Sequence, residues 1–249
     1  MVIYQGIKME FAKAKGFFIT GTDTEVGKTL VSGGIARILR DAGKKVGVFK
    51  PVASGCVRDY EGLVSQDAKF LRECSGCDFD LTFINPVGYS APAAPAVCAE
   101  HENRRVDFEL MAEAYGRICG ESDLMIVEGV GGIRVPVSAG VDVAELAKGF
   151  GLPVVIVART DLGTINHTLL TIDAVRAAGL ELAGVVISGY DAEKAGLAQE
   201  TLPMILEEWG QTPVLSIVPY DNESDVENGK LGELTIEALN DCDWAEMIQ

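Results

Sequence analysis

Short apolar runs alternate with helical patterns along almost the whole chain. The strand candidates lie at 16–20, 46–49, 124–127, 153–158, 183–187 and 214–218. The helix candidates, which carry apolar residues at helical spacing, lie at 28–42, 65–74, 107–119, 142–149, 166–178, 192–208 and 235–240. Several strand candidates are apolar at every position, which is typical of strands buried on both faces. The pattern therefore predicts an α/β fold with a doubly wound, mostly parallel sheet flanked by helices.

No internal repeat or low-complexity linker interrupts this alternation. We therefore expect a single domain over residues 16–249, preceded by an N-terminal extension over residues 1–15. The segment 1–14 is expected to be frayed, because it precedes the first core strand. The Pro- and Ala-rich stretch 86–97 is interpreted as a loop within the domain.

A glycine-bearing loop joins the first strand candidate to the first helix candidate. Residues 21–29 read Gly-Thr-Asp-Thr-Glu-Val-Gly-Lys-Thr. In such loops backbone N–H groups bind phosphate oxygens, the lysine adds a positive charge, and the following hydroxyl ligates Mg²⁺. Five residues separate Gly21 from Gly27, where the common motif has four, and Thr22 occupies the place of the first glycine. The strand before and the helix after favour a P-loop NTPase site over a chance Gly-Lys-Thr at a helix start.

Composition narrows the classes of partner. The chain has 249 residues, 48% of them hydrophobic, and a formal net charge of −16. A protein that binds nucleic acid by counterion release needs a basic surface, so nucleic acid is excluded as a principal partner. No secretory h-region opens the chain, and no apolar stretch approaches the roughly 20 residues that span a bilayer. We therefore expect a cytoplasmic protein without a membrane partner.

Six cysteines are scattered at positions 56, 74, 77, 98, 119 and 242. Only Cys74 and Cys77 have a suggestive spacing. A zinc site would need a second such pair or paired histidines, and His101 and His167 do not supply one. Free thiols near a helix end are the favoured interpretation, and a redox pair is the alternative.

Polar residues follow the strand candidates at the edge where α/β sheets bind ligands. Lys28 and Thr29 belong to the phosphate loop, and Lys50 follows the second strand candidate. Glu128 ends the buried strand at 124–127, and Asp67 lies at a helix start. Magnesium takes one or two carboxylates together with phosphate oxygens, so Asp67 and Glu128 are its candidate ligands. Asp67 is equally typical of a helix N-cap, and Lys50 of a solvated surface position.

His167 lies near the start of the helix candidate at 166–178. A lone histidine there is more often a packing or capping residue than a catalyst. The backbone N–H groups from Thr164 to His167 are instead candidates for holding a carboxylate.

These motifs in this order resemble the dethiobiotin synthetase family over residues 16 to about 220. The resemblance is carried by 21–29, Lys-Pro-Val-Ala-Ser-Gly at 50–55, Asp67, Asn85-Pro86, Val-Glu-Gly-x-Gly-Gly at 127–132 and Leu-Gly-x-Ile-Asn-His at 162–167. It implies an ATP-dependent cyclo-ligase that converts 7,8-diaminononanoate, CO₂ and Mg·ATP to dethiobiotin, ADP and phosphate in biotin biosynthesis. A carbamate and a mixed carbamic–phosphoric anhydride are the implied intermediates.

The resemblance also implies roles for individual residues. Lys50 and Lys28 would be catalytic, and Thr29, Asp67 and Glu128 would hold Mg²⁺. The ATP-binding residues would be Thr24, Glu25, Val26, Gly27, Lys28, Thr29, Glu128, Ser188 and Pro219. The substrate-binding residues would be Ser54, Gly131, Gly163, Thr164, Ile165 and Asn166. The family also implies a homodimer, in which the loop and helix start at 163–167 hold the substrate carboxylate across the interface.

One departure concerns the nucleotide base. Where the family often shows an asparagine-aspartate pair that reads adenine, this chain has Ser188 and Gly189, so other nucleoside triphosphates are candidates as well. The polar loop 56–66 also differs in detail. The nearest alternative function is a partition ATPase acting as a switch. Such proteins typically carry a second lysine early in the phosphate loop, where this chain has Thr22 and Asp23.

Overall fold

The computed structural model describes residues 2–4, 7–9 and 11–248. Its strands are β1 (Val2–Tyr4), β2 (Ile7–Met9), β3 (Gly16–Gly21), β4 (Val46–Phe49), β5 (Val52–Ala53), β6 (Val57–Asp59), β7 (Gly62–Val64), β8 (Val87–Gly88), β9 (Leu124–Gly132), β10 (Pro136–Ser138), β11 (Val141–Asp142), β12 (Val154–Ala158), β13 (Leu182–Tyr190) and β14 (Val214–Pro219). Its helices are α1 (Lys28–Asp41), α2 (Gln66–Ser75), α3 (Leu81–Ile84), α4 (Pro95–His101), α5 (Phe108–Glu121), α6 (Val143–Phe150), α7 (Thr164–Ala177), α8 (Leu197–Gly210), α9 (Glu233–Asn240) and α10 (Trp244–Met247).

Six strands form a central parallel sheet in the order β14-β13-β12-β3-β9-β4. All six predicted strands are therefore confirmed as members of one sheet. Every residue of β3, β4 and β12 is buried, so helices cover both faces, as their continuous apolar runs predicted. β3 lies between β12 and β9, which places the loop after Gly21 at the middle of the sheet edge.

The register of β4 against β9 fixes two charged residues side by side. Phe49 lies opposite Val127 in this parallel pair. The next residue along each strand is Lys50 and Glu128, respectively. The two side chains are therefore neighbours at the carboxyl edge of the sheet, although they are far apart in the sequence.

All seven predicted helices are present, with shifted ends. α7 begins two residues earlier than predicted, and α8 begins at Leu197 rather than at 192. Three short helices, α3, α4 and α10, escaped prediction because four to seven residues carry too little periodicity. The interpretation of 86–97 as a loop is wrong at both ends: β8 occupies Val87–Gly88, and α4 begins at Pro95, a residue well suited to the first helical position.

The expectation of a frayed N-terminus is wrong for residues 11–14. Phe11 is buried, and its ring stacks on Phe150 with centroids 4.2 Å apart. Ala12 and Ala14 pack against the same core. Further upstream, β1 and β2 form an antiparallel pair, while residues 1, 5, 6 and 10 lie outside the described part of the chain. Aromatic burial of this kind ties the extension to the domain.

Gly16 begins β3 in a conformation that only glycine adopts readily. Its φ is +136°, and a Cβ atom there would collide with the backbone carbonyl of Met125 in β9. The strands approach each other closely at this point because no side chain separates them.

None of the helices within the described residues combines the length and apolar character needed to span a bilayer.

Candidate active site

The loop after β3 is shaped to bind phosphate. Glu25 and Gly27 both have positive φ values, 59° and 93°. Such left-handed residues turn successive backbone N–H groups toward one point and create an anion-binding concavity. Among the described residues, the N–H groups from Glu25 to Thr29 have no protein acceptor. They are therefore free to bind phosphate oxygens at the N-terminus of α1.

Lys28 lies at the first position of α1 and is largely buried. Its ammonium donates a hydrogen bond to the carbonyl oxygen of Asp23 at 2.8 Å. Burial, together with the nearby positive charge of Lys50, lowers the pKa of Lys28 to about 8. A bound phosphate would raise this pKa again, because it adds negative charge to that of the nearby carboxylates.

Lys50 projects into the interior rather than into solvent, so the alternative of a solvated surface lysine is wrong. Its side chain is 3% exposed, and its ammonium lies 2.6 Å from Oε1 of Glu128 and 2.7 Å from Oδ2 of Asp67. The third contact is the carbonyl oxygen of Gly129, at 3.1 Å. Asn85 fixes the backbone below, since its Nδ2 donates to the carbonyl of Lys50 at 2.8 Å.

The two carboxylates keep Lys50 charged. Burial acts to lower the pKa of Lys50, but Asp67 and Glu128 outweigh it, and the pKa lies above its ordinary value. For Asp67, burial is likewise outweighed by Lys50, which holds its pKa below the usual range. Burial raises the pKa of Glu128, and Lys50 offsets part of that rise. Lys50 and each carboxylate therefore stabilise one another's charges, whereas Asp67 raises the pKa of Glu128 further.

Asp67 is not the N-cap of its helix. Ser65 caps α2 and accepts a hydrogen bond from the N–H of Ala68 at 3.4 Å. Asp67 lies one position inside α2, in the first turn, where the helix dipole favours a negative charge. Its carboxylate is consequently available to the neighbouring cations.

The donor set of a magnesium site is present beside these residues. Oε1 of Glu128 accepts a hydrogen bond from Oγ1 of Thr29 at 2.9 Å, and the same hydroxyl helps to lower the pKa of Asp67. Oε2 of Glu128 is buried without a hydrogen-bond partner among the described residues. An orphaned carboxylate oxygen next to a hydroxyl and a second carboxylate fits Mg²⁺, which prefers oxygen ligands and takes the rest from phosphate and water.

One cavity of about 430 Å³ unites most of the predicted site residues. The predicted residues that line it are Thr24, Glu25, Gly27, Lys28, Thr29, Lys50, Ser54, Asp67, Glu128 and Gly131. Gln66, Val226 and Glu227 also line it and were missed. The turn-rich segment 221–232, which follows β14 at the ligand-binding edge, was the available signal for the last two.

Other predicted site residues lie outside this cavity. The side chain of Val26 is buried in the hydrophobic core. Ser188 lies against the phosphate loop, since a Cβ atom on Gly27 would collide with its hydroxyl. Pro219 ends the neighbouring strand β14, opposite Tyr190.

The helix start at 163–166 does not reach the phosphate cavity of the same chain. His167, one position further along α7, lines a second cavity of about 510 Å³ together with Thr22, Asp23 and Arg134. Because α7 begins at Thr164, two of the four candidate N–H groups are already used: Thr164 donates to Asp161 and His167 to Gly163. Within the described chain, only the N–H groups of Ile165 and Asn166 remain for a ligand.

All six cysteines are free, so the interpretation of Cys74 and Cys77 as free thiols is confirmed. Burial raises the pKa of the Cys74 thiol to about 12 and that of Cys56 to about 11. Thiols of this kind are poor nucleophiles. No group of three or more metal-binding His, Cys, Asp or Glu side chains occurs among the residues that the structure describes.

Comparisons with known proteins identify the family of the chain. Residues 15–228 match the protein family described as "AAA domain". The ATP-dependent dethiobiotin synthetase of Bacillus subtilis strain 168 is 39% identical over 205 residues, which cover 82% of this chain and 87% of that protein. The enzyme of the same name from Thermodesulfovibrio yellowstonii is 37% identical over 228 residues, which cover 89% of this chain and 94% of that protein.

Among solved structures, the MinC:MinD cell division protein complex of Aquifex aeolicus superposes with a TM-score of 0.57 at 16% identity, covering 92% of this chain and 93% of that chain. At this identity the likeness shows the P-loop fold alone. The dethiobiotin synthetases compared above show the family as well, because their sequence identity extends over most of both chains. The chain belongs to the ATP-dependent dethiobiotin synthetase family.

Proposed function

We propose that this protein is an ATP-dependent dethiobiotin synthetase, which converts 7,8-diaminononanoate, CO₂ and ATP to dethiobiotin, ADP and phosphate. The observation that carries the proposal is the meeting of Lys28, Lys50, Asp67 and Glu128 at one phosphate-binding loop. A site with two lysines suits a reaction that brings a triphosphate against a second anion. The names of the relatives supply ATP and the product, dethiobiotin, and the family resemblance implies the diamine substrate.

In this proposal the loop holds the triphosphate of ATP. The N–H groups of residues 25–29 bind phosphate oxygens, and Lys28 lies beside the β- and γ-phosphates. Bound Mg²⁺ supplies charge neutralisation at the phosphates, and Thr29, Asp67 and Glu128 would hold it. Ser188 and Pro219, on adjacent strands, lie toward the nucleoside end, and the small Ser188 leaves room for bases other than adenine.

The second substrate binds on the Lys50 side of the cavity. One amine of the diamine adds to CO₂ and gives a carbamate, whose negative charge Lys50 stabilises. A carbamate oxygen attacks the γ-phosphorus, and ADP leaves. The second amine then attacks the carbonyl carbon of the mixed anhydride, closing the cyclic urea and expelling phosphate. Ser54 and Gly131 lie where the amines would be held, and no protein nucleophile is needed.

The release of phosphate from Mg·ATP is expected to require both the diamine and bicarbonate. The reason is that the γ-phosphoryl acceptor is the carbamate, which forms only when both are present. Phosphate release and product mass measure this directly. Fast phosphate release without the diamine would contradict the proposal and favour the switch ATPase.

We also propose a homodimer in which the helix start at 163–167 holds the substrate carboxylate for the partner chain. Two apolar side chains near this helix start are exposed, Leu162 at 89% and Leu170 at 59%. The N–H groups of Ile165 and Asn166 lie between them in the sequence, at the positive end of the α7 dipole. Burial of the leucines against a second copy would bring these donors to a neighbouring site.

Replacing Leu170 with glutamate is expected to convert the protein to a monomer, because a charge on a buried interface is costly. The affinity for the diamine should fall by about tenfold or more, while ADP binding is kept. Light scattering after gel filtration and calorimetry measure the two effects. Leu234→Glu, at an exposed leucine of α9, is the matched control. A dimeric Leu170→Glu variant would contradict this interface.

A further inference from the structure

The ammonium group of Lys50 is fully engaged within the protein. It has three hydrogens, and three acceptors surround it at hydrogen-bonding distance: Glu128, Asp67 and the carbonyl of Gly129. None of its hydrogens is left for a substrate. In the proposed function Lys50 stabilises the carbamate, and Asp67 and Glu128 hold the metal. In this structure, however, Lys50 contacts those two carboxylates.

The ammonium occupies the space between those carboxylates. Oε1 of Glu128 lies 2.6 Å from Nζ of Lys50, and Oδ2 of Asp67 lies 2.7 Å from it. A divalent ion bound by both carboxylates would lie next to the same ammonium. Two cations at that separation repel each other strongly in a site where Glu128 is 0% exposed and Lys50 is 3% exposed.

The four charged groups deepest in the site balance one another. Lys28 and Lys50 are the cations, and Asp67 and Glu128 are the anions, so these four formal charges cancel, while Glu25 and Glu227 line the cavity at exposed positions. A divalent ion alone would leave two positive charges uncompensated in a poorly solvated place. A divalent ion that enters with a triphosphate brings more than enough negative charge, and the phosphates can also attract Lys50 away from the carboxylates.

We propose that Lys50 is the resident counter-cation of Asp67 and Glu128, so that a divalent metal binds only together with the nucleotide, whose phosphates release Lys50 toward the second substrate. The inference rests on the metal ligands of the proposed function and extends it. Lys50 then has two successive partners, first the carboxylates and later the second substrate. Binding of the nucleotide causes the change from one to the other.

The first test is binding of Mn²⁺, followed by electron paramagnetic resonance, in the absence of nucleotide. The wild-type protein is expected to bind Mn²⁺ weakly, and Lys50→Met to bind it at least about tenfold more tightly, because the competing charge is gone. Addition of Glu128→Gln to this variant should remove the gain. Lys194→Met is the matched control, since Lys194 is paired with Asp191 at the surface.

A tight nucleotide-free Mn²⁺ site in the wild-type protein would overturn the proposal. So would a folded Lys50→Met variant, checked by circular dichroism, whose Mn²⁺ affinity equals that of the wild type. Both results are separate from the failure of the proposed function, since a protein that makes no dethiobiotin can still show this metal behaviour.

A second test uses the wild-type chain and needs no variant to fold. The three acceptors should slow the exchange of the Lys50 ammonium hydrogens with water, so that the side-chain ¹⁵N resonance can be observed. Mg²⁺ alone is expected to leave this resonance unchanged, and Mg·ADP to shift it. A shift produced by Mg²⁺ alone would overturn the proposal, as would an unchanged resonance in saturating Mg·ADP.

Discussion

Replacement of Lys50 with alanine is expected to lower kcat for dethiobiotin formation by roughly a hundred- to a thousandfold. The ammonium is the cation placed to stabilise the carbamate and the charge that develops as phosphoryl transfer proceeds. ADP binding should persist, because the phosphate-binding N–H groups and Lys28 belong to a different element. Steady-state kinetics with product detection, together with calorimetry of ADP binding, separate the two effects.

The same variant should also be less stable when ligands are absent. Loss of Lys50 leaves Glu128 buried and unpaired, and breaking a buried pair typically costs about 3–5 kcal/mol. Kinetics are therefore measured well below the melting temperature, and Lys194→Ala serves as the control. An unchanged rate of ring closure in folded Lys50→Ala would refute the role given to this lysine.

The second large effect is expected for Gly16→Ala, which should reduce the free energy of unfolding by about 3 kcal/mol or more. The new methyl group would meet the Met125 carbonyl, and φ of +136° would be strained for alanine. Because β3 and β9 are paired here, relief of the clash must separate two central strands. Urea denaturation followed by circular dichroism gives the change.

Gly116→Ala is the matched control for this substitution. Gly116 lies inside α5, and nothing stands within 4 Å of a Cβ atom added there. Alanine at such a position stabilises a helix by about 1 kcal/mol. The two changes add the same atom and should have opposite signs, so equal shifts of the urea midpoint would contradict the packing argument.

The central strands β3, β4 and β12 could be predicted from the sequence because a strand buried on both faces is apolar at nearly every position. β12 illustrates this, with all five residues buried. Short elements gave no such signal. α3 has four residues, and its place between Asp80 and Asn85 depends on packing against other elements rather than on a local period.

Much of the candidate site was also predictable, since residues that follow parallel strands gather at one edge. Pairing was not. The contacts of Lys50 with Glu128 and Asp67 depend on strand register and on the direction of α2, which no local pattern reports. For the same reason the cap of α2 was attributed to Asp67 as an alternative, whereas the hydroxyl of Ser65 performs it.

The register that sets Phe49 opposite Val127 has a consequence for assembly of the sheet. β4 and the first half of β9 are apolar throughout, so a misaligned pairing would bury nearly the same hydrocarbon surface. The charged residue that ends each run distinguishes the correct alignment, because a slip by one position would separate the ammonium of Lys50 from the carboxylate of Glu128. We therefore expect Lys50 and Glu128, which serve the reaction, also to favour the correct register of β4 and β9 during folding.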